Sequence, residues 1–294
     1  MKNLKIKQRK GRRWIKKGKK PLQNEDEDYE IEEPEKERVK KKKIERQFKS
    51  LRAKTTVKPL YEATKTLTPE RKSKIRKMGF GTLLDFPFEK IPGKLPYFVL
   101  KNLNTKTMKV TFPNDSTLKI TPKKIWEVLG IPMGKRKLES DSPREYDDEF
   151  LKAFKEQFDD KKYITISDLS KQIQRTTNAD FMFQMNYLML FSNCMIHCDN
   201  SSRLIYYVIK NIKSTDIISD FDWCKFIWDN IKTSKTHWDD RTLENWYYGP
   251  NTVLMVKLNF YFLISNLIKK ILKNILINCV FYLITVHLLA LYKN

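Results

Sequence analysis

The sequence predicts a mainly α protein: a helical domain over residues 68–255 with one small β-hairpin, a disordered basic N-terminal tail before it and an apolar C-terminal helix after it. Three observations predict this class. Proline follows a threonine at Thr68 and again at Thr121, which is typical of a capped helix start. Apolar residues recur at helical spacing through the second half of the domain. Clear strand-like alternation of apolar and polar residues is confined to the stretch from Met108 to Ile120.

The tail, residues 1–67, is dominated by charge. Between Met1 and Lys58 there are 22 Lys and Arg residues against 10 Asp and Glu, so 12 of the 23 net positive charges lie in the first fifth of the chain. Such a segment cannot bury enough apolar surface to offset its chain entropy. We therefore expect it to be disordered, with room for one short helix over residues 35–53.

Two basic clusters in the tail have the pattern of nuclear-import signals, and this predicts a nuclear location. A tail that merely solvates the protein is the alternative interpretation. The same side chains are the candidate phosphate contacts, because clustered positive charge favours acidic partners such as nucleic acid. They are Arg9, Lys10, Arg12, Arg13, Lys16, Lys17, Lys19, Lys20, Lys40, Lys41, Lys42 and Lys43.

The first half of the domain shows clear starts and ends. A short helix over residues 70–77 begins after Thr68 and Pro69, and glycines end it. The alternating stretch then folds back at the turn residues 113–116, which predicts the hairpin. A helix over residues 123–129 follows Thr121 and ends at Gly130.

The second half is predicted to be a helical bundle. Residues 135–148 are polar and charged, and we expect a mobile loop or insertion there. The stretch from Ala179 to Cys198 is apolar almost all round, which is typical of a central buried helix. Further helices are predicted over residues 148–157, after Ser167, over residues 201–212 and from a cap at Asp220.

Five short blocks in a fixed order carry a family resemblance. They are Lys77–Gly81, Leu118–Gly134 with its Leu-Gly-Ile-Pro, the apolar run from Phe181, Asp222–Trp223 and Tyr248–Pro250. In this order they resemble the plant mobile domain family, also named aminotransferase-like plant mobile domain. That family derives from mobile elements and often precedes a SUMO-specific cysteine protease domain. The resemblance implies a plant protein that is non-enzymatic in this form, or the non-catalytic N-terminal part of such a protease.

The residues themselves indicate no catalytic, metal or cofactor site. Cys194, His197 and Cys198 offer only three ligands on one short stretch, so a helix end with buried cysteines is favoured over zinc. The order of His197, Asp199 and Cys224 matches the protease triad, but the spacing is far too tight. Glycine-rich nucleotide loops and a pyridoxal phosphate site are absent from the sequence. With four cysteines and no apolar leader, we expect free thiols in a reducing compartment.

A cluster of aromatic and basic residues between positions 223 and 248 leaves two interpretations open. Interleaved aromatic and basic side chains can bind single-stranded nucleic acid by stacking and phosphate contact. At helical spacing, aromatic residues are more often core. The residues are Trp223, Trp228, Trp238, Trp246, Tyr247 and Tyr248, near Lys225, Lys232, Lys235 and Arg241.

Residues 256–294 differ in composition from the domain, and two explanations compete. Residues 275–292 are 18 uncharged residues flanked by lysines, which reaches the lower end of the length needed to cross a bilayer as a tail anchor. Alternatively, Met255-Val256-Lys257 can be encoded by ATG followed by the start of an intron, and the tail is then translated intron sequence. We favour the second explanation, so a membrane partner is expected only if residues 275–292 are truly translated.

Together these features predict a nuclear interaction module or nucleic-acid-associated module. Nucleic acid is the partner expected for the basic tail, and other proteins are a second class of partner. The alternatives are a SUMO-type protease fragment and a tail-anchored membrane protein. We predict no cofactor and no small-molecule substrate.

Overall fold

The computed structural model describes residues 50–240 and 246–255, apart from single residues at 88, 92, 114, 160 and 200. Within this range the fold is mainly α, which confirms the predicted class. The predictions for residues 1–49, including both basic clusters, and for residues 256–294 lie outside the described residues. The helices are α1 Lys58–Lys65, α2 Pro69–Lys77, α3 Lys94–Asn102, α4 Pro122–Leu129, α5 Glu149–Glu156, α6 Ile166–Arg175, α7 Phe181–Met195, α8 Tyr207–Asn211 and α9 Trp223–Asp239, with 3-10 turns at Gly81–Asp85 and Ile218–Asp220.

The strands are short and form two small sheets. They are β1 Arg52–Ala53, β2 Leu103–Asn104, β3 Lys109–Thr111, β4 Thr117–Lys119 and β5 Trp246–Tyr247. β1 pairs with β5 in parallel, and β2, β3 and β4 form an antiparallel sheet in that order. The predicted hairpin is therefore confirmed as β3–β4, with Val110 opposite Leu118 and both buried.

The fold begins earlier than residue 68, so the prediction of a tail over residues 1–67 is wrong for residues 50–67. α1 packs against α6 and α7, and β1 pairs with β5. Leu60, Ala63, Thr64 and Leu67 are buried. These four residues follow helical i, i+3, i+4, i+7 spacing, which the high charge of the neighbouring sequence concealed.

α7 is the central helix that the sequence predicts. It begins at the side chain of Asp180, which accepts a hydrogen bond from the Phe183 amide at 2.8 Å. Every residue from Met185 to Met195 is buried. The buried amide of Asn193 binds the backbone of Ile205 twice, since its Oδ1 accepts from the Ile205 amide at 2.8 Å and its Nδ2 donates to the carbonyl at 3.2 Å. The polar residue in the apolar run therefore fixes the chain that follows the helix.

The segment 135–148 is anchored to the fold, which contradicts the predicted mobile loop. Arg136 forms an isolated β-bridge with Phe221. Arg144 is 9% exposed, and its guanidinium donates to two carbonyl oxygens at the end of α8. It also pairs with Asp148 at 3.3 Å. Burial lowers the pKa of Arg144, and the Asp148 carboxylate opposes that shift. A buried arginine has the same sequence signature as an exposed one, so polarity alone misassigned this segment.

Arg71 makes a second buried connection, between α2 and the end of α6. Its Nε donates to the Asn178 carbonyl at 2.7 Å, and its Nη1 donates to the Ile173 carbonyl at 2.7 Å. Nη2 donates to the Thr176 hydroxyl at 2.8 Å, and the guanidinium lies 4.3 Å from the ring centroid of Phe183. Desolvation lowers the pKa of Arg71, but each of its three nitrogens donates a hydrogen bond, so the buried group is well satisfied.

Candidate functional site

Three of the five blocks meet in space, since Gly79 of the first contacts Pro132 of the second, and Met133 of the second forms a β-bridge with Asp222 of the fourth. A Cβ on Gly79 would lie 2.6 Å from Cγ of Pro132, and a Cβ on Gly134 would lie 2.1 Å from the Asp220 carbonyl oxygen. Gly79 also has a positive φ of 84°, a conformation that glycine adopts without steric cost. The blocks are thus packing requirements, and they bring together residues 79–82, 129–134 and 219–222.

Cys194, Cys198 and Cys224 are buried, as expected for small hydrophobic side chains, and His197 is half-buried with its Nε2 atom enclosed. Burial raises the pKa of the Cys194 thiol and raises that of Cys198 and Cys224 to about 12. Burial lowers the pKa of His197 to about 4. Neutral thiols and a neutral imidazole are the opposite of the thiolate and charged partner that a cysteine nucleophile needs. In the part of the chain that the structure describes, no three His, Cys, Asp or Glu side chains are grouped to hold a metal ion.

The aromatic residues between positions 223 and 248 divide between the core and the surface. Trp223, Trp238 and Tyr247 are buried, as the core interpretation holds. Trp228 is half-buried, and its ring is 4.6 Å from Lys225 Nζ and 5.9 Å from Lys232 Nζ, measured to the ring centroid. α9 therefore presents one aromatic ring between two lysines at the surface.

The outer face of the hairpin carries two opposed lysines. Lys109 on β3 is directly opposite Lys119 on β4, and both are exposed. The Ile120 amide donates to the Met108 carbonyl at 2.7 Å, so residues 108 and 120 form a hydrogen-bonded pair. Because pair types alternate along an antiparallel ladder, Lys109 and Lys119 form a non-hydrogen-bonded pair, with Cα atoms about 4.5 Å apart and side chains close.

The basic face continues from the hairpin onto α4 and α9. Thr121 caps α4 by accepting from the Lys124 amide at 3.2 Å, which places Lys123 and Lys124 in the first turn. Nε1 of Trp228 donates to the Ile120 carbonyl at 2.8 Å, so the lysines of α9 adjoin the same strand-to-helix junction. We call this set the lysine surface: Lys109, Lys119, Lys123, Lys124, Lys225 and Lys232.

Few carboxylates balance the lysine surface. Lys225 pairs with Asp229. Among the described residues, no salt bridge reaches Lys109, Lys119, Lys123 or Lys124. Glu127 is the acidic residue of α4, and it is exposed. Lys109, Lys119 and Lys123 are exposed and Lys124 is half-buried, so the amino groups of the first three are open to an anion.

Charge is also unevenly distributed along the domain. Residues 50–137 contain 20 Lys and Arg against 6 Asp and Glu, whereas residues 138–255 contain 14 against 19. The first part, which includes the hairpin and α4, thus carries a net charge of +14, and the second part carries −5. A positive net charge of this size favours contact with acidic groups over contact with basic ones.

The tail residues proposed as phosphate contacts, from Arg9 to Lys43, lie outside the described residues. Sequence reasoning missed the lysines of the hairpin and of α4. A signal for them was present, since alternation puts Lys109 and Lys119 on the polar face of the predicted hairpin, and Lys123 directly follows a predicted helix start.

Comparison with known proteins adds a family but no activity. Over the described residues, no helix is both long and apolar enough to span a membrane. Neither the curated proteins nor the solved structures contain a match to this chain. A family model described as a domain of unknown function, DUF8566, matches residues 53–255. This match runs from β1 to the last described residue and covers more than half of the sequence, so the chain belongs to the DUF8566 family.

Proposed function

We propose that this protein is a non-enzymatic, nucleic-acid-associated module that holds the phosphate backbone on its lysine surface, with the basic clusters of residues 9–20 and 40–43 adding further contacts. The observation that carries the proposal is the opposed pair of Lys109 and Lys119. Like charges directly opposite each other destabilise a sheet. A phosphate group between the two ammonium groups would replace that repulsion with two attractions.

The arrangement favours contact with phosphate over reading of bases. Lysine offers a compact charge with three rotatable donors, and contacts of this kind position a protein on nucleic acid without specifying sequence. Binding through the lysine surface is therefore sequence-independent. Its strength comes from release of counterions, so it falls steeply as salt is added.

The test is the affinity of the full chain for a fluorescent 20-base-pair duplex at fixed low salt. One variant neutralises four lysines of the hairpin and α4, and a control removes four exposed positive charges from other parts of the domain. The test variant is Lys109→Gln, Lys119→Gln, Lys123→Gln and Lys124→Gln, and the control is Lys152→Gln, Lys162→Gln, Lys171→Gln and Arg175→Gln.

We expect the test variant to bind at least about tenfold more weakly than the control variant, because direct phosphate contacts are lost only in the first. Equal affinities of the two variants would show that only overall charge matters, and would contradict phosphate binding by the lysine surface. Circular dichroism spectra of both variants check that the fold is intact.

We also propose a nuclear location and retain the resemblance to the plant mobile domain family as a proposal. The import-like clusters at Arg9–Lys20 and Lys40–Lys43 support the location. The contact of Gly79 with Pro132 and the β-bridge of Met133 with Asp222 support treating three of the resembling blocks as one structural unit. A fluorescent fusion with both clusters changed to glutamine should leave the nucleus, while a fusion that stays nuclear would contradict the proposal.

A further inference from the structure

Trp126 on α4 is an exposed indole beside the lysine surface. Its side chain is 47% exposed, although its neighbours Ile125 and Leu129 are buried. Tyr146 and Tyr163 are exposed too, but each has a cation close above its ring, Lys155 Nζ at 3.4 Å and Arg203 Cζ at 3.6 Å from the centroid. Within the described ranges no cation lies over Trp126, so its ring is open for stacking.

Trp126 also lies where a base and a phosphate could be held at once. Lys123 and Trp126 are three residues apart on α4, and side chains at this spacing are neighbours on a helix face. Lys119 precedes Lys123 by four residues across the strand-to-helix junction, and all three side chains are exposed. The open ring thus neighbours Lys123, and among the described residues no salt bridge reaches Lys123 or Lys119.

Stacking distinguishes two forms of nucleic acid. The faces of bases in a duplex are covered by neighbouring bases, whereas an unpaired strand presents them to aromatic side chains. A surface that contacted only phosphates would need no exposed indole. A surface with an open indole next to lysines has the combination found in proteins that bind single strands.

We propose that the ligand of the lysine surface is single-stranded nucleic acid, with an unpaired base stacked on Trp126 and the adjoining phosphates held by Lys119 and Lys123. This rests on the proposed function and names its ligand class. Trp126 acts as a positioning platform and reads no sequence, because every base has a face that can stack.

The test compares Trp126→Leu with Tyr146→Leu, which removes an exposed ring from the acidic segment of the domain. The full chain is titrated with a 12-nucleotide oligo-dT strand and with a 12-base-pair duplex at the same salt concentration. We expect Trp126→Leu to weaken binding of the single strand about 5- to 100-fold, since one base–aromatic stack contributes on this scale. Duplex binding should change less than about twofold, and Tyr146→Leu should change neither.

Three results test the stacking of a base on Trp126 separately from phosphate binding by the lysine surface. Quenching of tryptophan emission by oligo-dT that Trp126→Leu abolishes would support stacking, and Trp126→Phe should restore part of the affinity. If Trp126→Leu leaves single-strand affinity unchanged, or weakens both ligands equally, the single-strand inference is overturned while phosphate binding stands. If neither ligand responds to neutralising Lys109, Lys119, Lys123 and Lys124, the proposed function itself fails.

Discussion

Replacing Lys109 by glutamate should strengthen the fold and weaken nucleic-acid binding in the same variant. The Lys109–Lys119 pair is a close, exposed pair of like charges on neighbouring strands. Lys109→Glu turns this repulsion into an attraction without touching the buried face of the hairpin. If the two lysines bind an anionic ligand, the substitution should raise the stability of the fold and lower the affinity for nucleic acid.

The size of the effect follows from the pair geometry. A favourable cross-strand pair contributes about 0.2–1 kcal/mol, and here a repulsion is also removed, so the free energy of unfolding should rise by about 0.5–1.5 kcal/mol. For a domain of this size that corresponds to a Tm increase of roughly 1–5 °C. The gain should shrink at about 1 M salt, where exposed charges are screened within a few ångströms.

The assay is thermal unfolding of wild type, Lys109→Glu, Lys119→Glu and the double variant, followed by duplex affinity for each. The single variants should melt higher and bind more weakly than wild type. The double variant restores a like-charge pair, now negative, so its Tm should return towards wild type while its affinity is the lowest of the four. A lower Tm in Lys109→Glu, or unchanged affinity, would refute the reasoning about this pair.

Three further predictions concern the fold. Arg71→Met should lower the free energy of unfolding in urea by about 3 kcal/mol, because it removes three hydrogen bonds, one of them buried and two partly buried; a loss below about 1 kcal/mol would contradict the role of Arg71. Gly134→Ala should lower the Tm clearly more than Gly81→Ala, since the new Cβ would be 2.1 Å from a backbone oxygen in the first case and 3.1 Å from a side-chain carbon in the second; equal melting curves would refute this. Burial raises the pKa of Asp168, but hydrogen bonds from Lys161 and from Thr165, the N-cap of α6, outweigh it and hold the pKa at about 2, below its ordinary 3.8. This stabilisation is present above pH 3.8 and is lost as the pH falls towards 2, so Asp168→Asn should be less stable by about 1 kcal/mol at pH 6, and the difference should vanish in acid; a constant difference would contradict it.

Local signals in the sequence predicted the elements that depend on local chemistry. Thr121 caps α4 and Gly130 ends it in a left-handed conformation. Alternation identified the hairpin, and an apolar run without a polar face identified α7. These features can be predicted from the sequence because capping, turn and burial patterns depend on neighbouring residues.

Elements that depend on distant partners were misassigned. The predicted helix over residues 201–212 shortens to α8 at Tyr207–Asn211, because Arg203 pairs with Thr165 in a β-bridge instead. The cap of α9 is Asp222, whose side chain accepts from the Lys225 amide at 2.8 Å, and Asp220 ends the preceding 3-10 turn. Asp222 also forms a β-bridge with Met133, so in both cases a residue far away in the sequence contacts the start of the helix or the segment before it.

The candidate site was predictable only in part. Basic charge in the tail and aromatic spacing in α9 indicated nucleic-acid contact from the sequence. Of these residues, Trp228 lies at the surface with Lys225 and Lys232 near its ring. The opposed pair of Lys109 and Lys119 depends on strand register, which a sequence shows only after the turn is placed correctly. The contact between α9 and the end of β4, through the Trp228 indole, has no local signal at all.

The most direct test of the central claim is the salt dependence of duplex affinity for wild type and for the variant in which Lys109, Lys119, Lys123 and Lys124 are changed to glutamine. The slope of log K against log salt reports the number of phosphates contacted, at about 0.9 per phosphate. We predict that the variant has a shallower slope than wild type, by about 2 to 4. A slope that stays the same would show that these lysines contact no phosphate, and would contradict the account.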